Sequence, residues 1–478
     1  MHSSYSPTLT PGVSALSDRQ IDEILQAAFL ILERTGGIVS HPDMLDYLRK
    51  AGAEVDGERV YVARHLIQDA LAKAPKGLMM YDQAGRPAMH LFGRKSYFGS
   101  APASPQTRDA LTGEIHETTL EDVGRGVRVA DSLKNIDFVM PFGSAQDCPT
   151  KLSEAWEVLA TMKNSAKPIV FCPYSLKGAE TVIQMAQKVA GGAAELKRKP
   201  FLVIYPEPIA PLTWPGEVLD YMIAAARHSF PQLVTGAQLM SLTAPVTMAG
   251  LLAQAAAESF LSTFMIQSVN PGAPVFMASI PCSVNSRNGL VSMAGPEIQL
   301  ALTAWADLAR RVGLATWGCA GVSDSHIMDA QAGAESSLSL LMQGLAGVNL
   351  IHDIGYLGSG MQCSAAMLVF SAEVVGFCRR ILKGLTVDDE FLATEIINKV
   401  GPGGSFMTTK HTIKHLRSEV FTNELFTKIA FDQWTKAGAK SSLDIADDAV
   451  KTILDTHKPQ ALSDDLAKEL EDFISSNS

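Results

Sequence analysis

The spacing of apolar residues changes near residue 96 and divides the chain into two regions. The segment after Ser17 repeats apolar residues at helical spacing until Gly36, and Ser17 is a typical helix N-cap, so an amphipathic helix is predicted there. The apolar positions of this helix are Ile21, Ile24, Leu25, Ala28 and Leu32. Two short helices, in HPDMLDYLRKAG and ARHLIQDALAKAP, flank VDGERVYV, which predicts a hairpin turning at Asp56-Gly57. Residues 1–95 are therefore expected to form a mostly helical cap region.

From residue 96 onward, short apolar runs alternate with longer helical segments, as in βα units on a parallel sheet. The candidate strands are SYFGS at 96, FVMPFG at 138, PIVFCPY at 168, FLVIYPE at 201, QLVTGAQ at 232, PVFMAS at 274, LATWGCAG at 314 and VNLIHD at 348. Eight strands, each followed by a helix, predict an α/β fold with a (β/α)8 TIM barrel over residues 96–385. Residues 386–478 predict a C-terminal helical extension.

An open, doubly wound sheet is the alternative to the barrel. No GxGxxG motif follows the first candidate strand, so a barrel is favoured over a dinucleotide-binding fold.

Composition narrows the class of protein. Hydrophobic residues form 47% of the chain and charged residues 19%, which indicates a globular protein. The net charge of −10 and the lack of a basic run argue against nucleic-acid binding. No two cysteines stand in CxxC spacing, the N-terminus does not resemble a signal peptide, and no apolar run reaches the ~18 residues of a membrane span. The sequence predicts a cytoplasmic protein without a membrane segment.

Aromatic residues gather near the carboxyl ends of the predicted strands, where barrel enzymes carry their chemistry. They are Tyr97, Phe98, Phe142, Tyr174, Tyr205, Trp317 and Tyr356. For any one of them, packing beneath a loop is an alternative role. As a group they favour a pocket for a quaternary ammonium ion, which donates no hydrogen bond but is attracted to aromatic faces.

Polar residues are fewer at the same ends of the strands. They are Glu207, Gln238, Asp324, His326, Asp329, Gln331, Glu335, His352 and Asp353. Asp324 or Asp329 fits a helix cap equally well, and an adjacent His–Asp pair fits a structural role. Metal binding by His326, Asp329, Glu335 and His352 is a weaker alternative, because the spacing matches no established ligand set. These residues indicate an aromatic, sparsely acidic pocket without fixing a reaction.

Longer motifs carry a family resemblance. TTLEDVGRGVRVADSLKNIDFV, LTAPVTMAGLLAQAAAE, SDSHIMDAQAGAESSLSLLMQGLAGVNLIHDIGYLGSG and VGPGGSF occur in this order, and over nearly its whole length the chain resembles the trimethylamine methyltransferase family. The resemblance implies a (β/α)8 barrel that moves a methyl group from a methylamine to Co(I) of a corrinoid carried on a separate small protein. The archaeal trimethylamine enzymes contain pyrrolysine, which this sequence lacks. The chain resembles the branch that demethylates quaternary amines such as glycine betaine.

The resemblance also implies roles for residues near the last predicted strand. His352 and Asp353 are predicted to be catalytic, with His352 donating a hydrogen bond to a substrate carboxylate. The predicted substrate-binding residues are Tyr97, Phe98, Tyr205, Glu207, Gln331 and Tyr356. Gly355 and Gly358 are predicted to let their loop approach the corrinoid.

No cobalamin-binding DxHxxG signature is visible, so the corrinoid is expected on a partner protein, and the chain is expected to be a homo-oligomer. Two other functions remain open. One is a lyase or hydrolase that uses His352 and Asp353 as acid and base. The other is a betaine-binding barrel without catalytic activity.

Overall fold

A curled parallel sheet of seven strands forms the centre of the molecule. The structure is a computed structural model that describes residues 8–149, 151–460 and 462–477. In spatial order the strands are Ile169–Phe171, Leu202–Ile204, Gln232–Leu233, Val275–Ala278, Thr316–Cys319, Leu350–Ile354 and Tyr97–Ser100. Tyr97–Ser100, the first strand of this sheet in chain order, thus pairs with Leu350–Ile354, the last. Seven of the eight predicted strands are confirmed, with shorter bounds than the apolar runs suggested.

The strand predicted at residue 138 is reduced to two isolated parallel bridges, Gly99 to Phe138 and Val139 to Ile169. These bridges connect residues 138–139 with both edge strands of the sheet. The ladder stops there because the Met140 N–H donates to the Ser100 side chain at 3.0 Å, and the next residue, Pro141, has no N–H to donate.

Helices cover the outer face of the sheet, and each contacts the next around the ring. They are Leu120–Ser132, Ser153–Asn164, Leu176–Ala190, Gly216–Arg227, Met248–Val269, Pro296–Val312, Ala330–Ala346 and Ala365–Leu382, with the short Ala193–Arg198 inserted after the third. Ala365–Leu382 contacts Leu120–Ser132, so the helical layer returns to its start. Among the described residues, Met248–Val269 alone has the length and hydropathy of a membrane span, but 89% of that stretch is buried inside the protein.

The N-terminal region packs against the helix Met248–Val269 through Asp18–Arg34, Pro42–Lys50 and Arg64–Lys73. Ser17 forms the expected N-cap, in a capping box with Gln20. The predicted hairpin is also present, as Glu54–Asp56 paired with Arg59–Tyr61. These strands join Gly37–Val39 and Thr213–Trp214 in a four-stranded sheet.

A second hairpin, which the sequence pattern did not reveal, closes the amino end of the central sheet. Its strands are Leu78–Tyr81 and Pro87–Leu91. Met80, Met89 and Leu91 are buried in the apolar cluster on the inner face of the sheet. This plug leaves the carboxyl ends of the strands as the approach to the inner face.

The C-terminal region is helical and has two parts. Asp389–Leu392, Thr394–Val400, Lys410–Glu419 and Phe431–Lys436 bury none of their described residues. The helices Ser442–Thr456 and Asp464–Asn477 pack onto the outer helices.

Candidate functional site

His352 and Asp353 lie side by side on the inner face of the last sheet strand, Leu350–Ile354, and both are fully buried. Adjacent residues of a regular strand face opposite sides of a sheet. Here the register with Tyr97–Ser100 shifts between Ile351 and Ile354, and Asp353 has a φ of 79°. This left-handed bulge places Asp353 Oδ1 3.0 Å from His352 Nε2. A non-glycine residue held in this conformation costs about 1–3 kcal/mol, and such residues cluster at functional sites.

The hydrogen bonds of His352 define its tautomer. Nδ1 lies 3.0 Å from the Gly318 carbonyl oxygen, which only accepts hydrogen bonds, so the proton resides on Nδ1. Burial lowers the pKa of His352 to about 3, which keeps the ring neutral at physiological pH. Nε2 is therefore an acceptor that faces Asp353.

Asp353 complements this acceptor. Burial, and then the nearby charge of Glu207, raise the pKa of Asp353 well above its ordinary value. Asp353 Oδ1 faces His352 Nε2 at 3.0 Å, and the lowered pKa of His352 and the raised pKa of Asp353 both favour the neutral forms of the two side chains. Asp353 Oδ2, by contrast, is buried and has no hydrogen-bond partner among the described residues.

Aromatic rings surround the pair on the inner face. The Trp317 ring stacks on His352 with centroids 4.0 Å apart, and Tyr205 meets both rings edge-on, at 5.5 Å from Trp317 and 6.4 Å from His352. Trp317 Nε1 is buried without a hydrogen-bond partner in the described part of the chain, whereas the Tyr205 hydroxyl lies close to the Glu207 carboxyl group and partly offsets the rise in its pKa. Trp317 Nε1 and Asp353 Oδ2 are thus two unpaired buried polar atoms beside the same rings, which is unusual for a protein interior.

Glu207 follows the strand Leu202–Ile204 and is the second carboxyl group of this site. The Glu207 side chain reaches solvent, but the surrounding protein still desolvates its carboxyl group and thereby raises the pKa of that group. Cys172 also lies near, because the charges of Glu207 and Asp353 add to burial in raising the pKa of its thiol.

The structure brings together four of the residues predicted from sequence, namely Tyr205, Glu207, His352 and Asp353, and adds Trp317. Trp317 was recognised as one of the aromatic residues near the strand ends but was not assigned to substrate binding. The sequence alone could have indicated that Trp317 lies beside His352, because both are interior positions of neighbouring strands.

Tyr97 and Phe98 do not join this group. Tyr97 lies at the amino end of its strand, where its hydroxyl accepts from the His90 N–H at 3.0 Å. Phe98 faces the outer helices and contacts the Arg379 guanidinium at 5.8 Å from the ring centroid. Strand alternation turns Phe98 away from Tyr97, so the placement of its side chain gives no support to its predicted role in substrate binding.

His352 cannot donate to a substrate carboxylate in this arrangement. Its one N–H, on Nδ1, bonds the Gly318 carbonyl, and Nε2 faces Asp353. The predicted role of His352 as a donor is therefore corrected. The ring instead presents a neutral aromatic surface, with Nε2 3.0 Å from Asp353 Oδ1.

Gln331 and Tyr356 are held by other protein groups. Gln331 is exposed and donates to Glu335 at 2.9 Å, and the Tyr356 hydroxyl donates to the Pro102 carbonyl oxygen. Burial raises the pKa of Tyr356, which lies close to Asp353.

Gly355 and Gly358 are also occupied by protein contacts. Both are buried with φ values of 111° and 57°. A side chain at Gly355 would meet the Phe142 ring at 3.0 Å, and one at Gly358 would meet His326 at 2.8 Å. Their glycine requirement comes from backbone conformation and close packing within the protein, so the predicted contact with the corrinoid has no support from their placement.

The remaining polar candidates have structural roles. Asp324 accepts from the Met293 N–H at 3.0 Å and from Ser359 Oγ at 2.8 Å, and Asp329 caps the helix Ala330–Ala346. Gln238 donates to Glu258 at 2.8 Å. Among the residues that the structure describes, no group of three or more His, Cys, Asp or Glu side chains is arranged to hold a metal ion.

The aromatic candidates Phe142 and Tyr174 also lie outside the group. Phe142 belongs to the apolar core that includes the outer helices, and Tyr174 is 44% exposed with its hydroxyl 3.5 Å from Glu157 Oε2.

Comparison with known proteins identifies relatives over the full length. A family model described as trimethylamine methyltransferase (MTTB) matches residues 4–478. Glycine betaine methyltransferase of Desulfitobacterium hafniense strain Y51 is 30% identical over 468 residues, covering 98% of this chain and 97% of that protein. Trimethylamine methyltransferase MttB of strain DSM 10664 / DCB-2 of the same species is 26% identical over 465 residues, covering 97% and 94%.

A solved structure shares the fold. The crystal structure of the hydroxylamine MtmB complex superposes with a TM-score of 0.50 at 12% identity, covering 96% of this chain and 89% of that chain.

Proposed function

Because the chain belongs to the trimethylamine methyltransferase family, we propose that it moves a methyl group from a quaternary amine to Co(I) of a corrinoid on a separate protein. The observation that carries this proposal is the left-handed bulge at Asp353, which turns an unpaired carboxyl oxygen toward the inner face beside three aromatic rings. A strained backbone, a desolvated carboxyl group and aromatic surfaces together suit a cation that lacks N–H groups.

Glycine betaine is the first substrate to consider, because a relative that shares 30% identity carries its name. Loss of one methyl group would give dimethylglycine. Proline betaine, carnitine and γ-butyrobetaine are the alternatives within the same chemistry. A quaternary nitrogen already carries a positive charge, so its methyl group leaves without the activation that a tertiary amine needs.

The ammonium end of the substrate is assigned to the inner face. Tyr205, Trp317 and His352 supply aromatic surfaces there, and Asp353 Oδ2 and Glu207 supply oxygen atoms toward the polarised N-methyl groups. A cation favours ionised carboxyl groups. Binding is therefore expected to lower the raised pKa of Asp353 and Glu207.

During transfer the N–C bond breaks, its electron pair stays on nitrogen, and the methyl carbon bonds to cobalt. The chain's contribution is to hold the methyl group in line with the acceptor and to exclude water. The neutral His352–Asp353 pair holds both side chains in place without a buried net charge. The corrinoid is assigned to the partner protein, and Gly355 and Gly358 shape the adjacent loop.

We further propose that the fold is a closed (β/α)8 barrel with residues 138–139 in the eighth strand position, supported by their bridges to both edge strands. The preceding residues 1–95 serve as a cap on this barrel, and 386–478 as its extension. All six cysteines, each within the described ranges, are free, which suits the reducing cytoplasm.

Self-association is proposed through the segment 385–436, called here the exposed arm. Its helices leave large apolar side chains in solvent, including Leu392, Ile397, Ile413 and Phe431. Helices of ten residues or fewer are marginal in water without tertiary packing, so a covering surface is expected, and a second copy of the chain is the partner that is always present.

The proposed function is tested by mixing the purified protein with cob(I)alamin and separate quaternary amines, and by assaying the demethylated amine by mass spectrometry. Formation of dimethylglycine from glycine betaine, dependent on cob(I)alamin, supports the proposal. Binding of betaine without loss of a methyl group would favour a betaine-binding barrel. Conversion without an acceptor would favour a lyase or hydrolase.

A further inference from the structure

Acidic groups supply the charge at the candidate site. Asp353 contacts His352, which stacks on Trp317, and the Tyr205 hydroxyl lies close to the Glu207 carboxyl group. In the part of the chain that the structure describes, neither carboxyl group forms an ion pair with a lysine or an arginine, and the ring of His352 beside Asp353 is neutral. The site therefore carries negative charge whenever either carboxyl group ionises.

The two carboxyl groups act on each other and on the same neighbours. Burial and then the charge of Glu207 raise the pKa of Asp353. Burial, followed by the charges of both groups, raises the pKa of Cys172 and of Tyr356. No lysine or arginine among the described residues opposes these shifts. A positive charge that arrives with a ligand is thus the compensation that the two carboxyl groups lack.

The net charge of the ligand decides how well this compensation works. A quaternary ammonium ion without a carboxylate neutralises one ionised carboxyl group and binds the aromatic faces. A betaine brings its own carboxylate into the same acidic surroundings, where like charges repel. The unpaired donor of the group, Trp317 Nε1, is neutral and can bond a carboxylate, an amide or a hydroxyl oxygen alike, so it does not select a charged end.

Glu207 is placed to distinguish the two kinds of ligand. Asp353 is 1% exposed, whereas the Glu207 side chain reaches solvent. A substrate whose ammonium group lies against Asp353 directs its longest substituent toward solvent, the side on which Glu207 lies. A carboxylate on that substituent meets Glu207 as a like charge, while a hydroxyl or a carboxamide group does not.

We propose that the site also accepts quaternary ammonium ions that carry no carboxylate, such as choline, and that Glu207 sets the selectivity between these ions and betaines. This inference rests on the proposed function. The transfer itself is the same for both kinds of substrate. With choline, one N–C bond breaks, its electron pair stays on nitrogen to give N,N-dimethylaminoethanol, and the methyl carbon bonds to Co(I), which becomes methyl-Co(III).

The test uses three substrates that separate charge from shape. Glycine betaine and betaine amide share the trimethylammonium group and differ in that a neutral carboxamide replaces the carboxylate, and choline carries a neutral hydroxyl. Each is mixed with the protein and cob(I)alamin, and kcat/KM is measured from the appearance of methylcobalamin. The unaltered chain is expected to transfer a methyl group from all three, with betaine amide and choline at least as efficient as glycine betaine.

Variants of Glu207 test its role in selectivity. Glu207→Gln removes the charge and keeps the shape, so the ratio of kcat/KM for betaine amide over glycine betaine should fall by about tenfold, the effect of one like-charge contact. Glu207→Lys should lower the ratio further, because it offers the carboxylate an opposite charge. Glu180→Gln, on the exposed face of the outer helix Leu176–Ala190, should leave the ratio unchanged. Both substrates are measured on one preparation, so partial misfolding cancels from the ratio.

Transfer from glycine betaine without transfer from betaine amide or choline overturns this inference and leaves the proposed function standing. An unchanged ratio in both Glu207→Gln and Glu207→Lys overturns the role of Glu207, as does an equal fall in Glu180→Gln. Failure of the unaltered chain to transfer a methyl group from any quaternary amine overturns the proposed function itself, and the selectivity proposal with it.

Discussion

His352 Nε2 and Asp353 Oδ1 lie 3.0 Å apart although the two residues are neighbours on one strand. The left-handed backbone of Asp353 makes this contact possible, because a regular strand would send the two side chains to opposite faces. The Nδ1 bond to Gly318, the lowered pKa of His352 and the raised pKa of Asp353 favour the neutral forms of both side chains. The pair therefore avoids a buried net charge while leaving Asp353 Oδ2 for a ligand.

Replacement of Asp353 by Asn tests whether Asp353 Oδ2 contributes to binding of the cationic substrate. Asn tolerates left-handed backbone and keeps the shape, but it cannot ionise when a cation binds. We expect Asp353→Asn to lower kcat/KM for the quaternary amine by roughly tenfold or more, the effect of losing a charge-assisted contact of about 1.5–3 kcal/mol. Asp329→Asn, which alters a helix cap away from the aromatic group, is the matched control. Equal activity of both variants would remove Asp353 from the site.

The pKa of His352 predicts how stability depends on acid. The group is held neutral in the fold with a pKa of about 3, whereas the ordinary value is 6.5. Its contribution to stability is therefore present above pH 6.5 and is lost as pH falls toward 3, by about 1.4 kcal/mol per pH unit at most.

His352→Phe retains an aromatic ring against Trp317 but does not titrate. Chemical unfolding of this variant between roughly pH 6.5 and 4 should show a shallower loss of stability than the unaltered chain. Parallel curves would mean that His352 takes up its proton in the folded state as readily as in the unfolded one.

The aromatic surfaces are tested by a pair of substitutions on opposite faces of the sheet. Tyr205→Leu removes a ring beside His352, and Phe98→Leu removes a ring that contacts Arg379 on the outer face. Calorimetry should show binding of the quaternary amine weakened by about 0.5–2 kcal/mol for Tyr205→Leu alone. A similar loss for Phe98→Leu would indicate a general effect of destabilisation.

The exposed arm predicts an oligomer. Ile413 is 71% exposed on the helix Lys410–Glu419. Ile413→Asp should reduce the molecular mass measured by light scattering, while Leu30→Asp, on the N-terminal helix, should not. A monomeric unaltered chain would contradict this role for the arm.

The sequence pattern predicted the elements because alternation, apolar periodicity and caps such as Ser17 are local properties. The opposite orientations of Tyr97 and Phe98 also follow from alternation, and assigning both to one pocket overlooked it. The plugging hairpin was missed because its short strands carry few β-branched residues and gain stability from burying Met80 and Met89 under the distant sheet.

The site was predicted only in part, because its decisive features depend on contacts between distant segments. Nothing near Asp353 in the sequence specifies a left-handed φ, since tertiary packing imposes it. The partners of His352 and Tyr356, the carbonyl groups of Gly318 and Pro102, are likewise remote in sequence. The residue types of His352 and Asp353 made them candidates for the site. Only the hydrogen bonds in the structure define which ring nitrogen of His352 carries the proton.

The most direct measurement follows the methyl group itself. The protein is mixed with cob(I)alamin and glycine betaine carrying deuterated methyl groups, and the cobalamin product is analysed by mass spectrometry, with choline and trimethylamine as comparison substrates. We expect cobalamin bearing a fully deuterated methyl group, together with dimethylglycine in equal amount, and little transfer from trimethylamine. Transfer from trimethylamine alone, or no deuterated methylcobalamin from any quaternary amine, would contradict it.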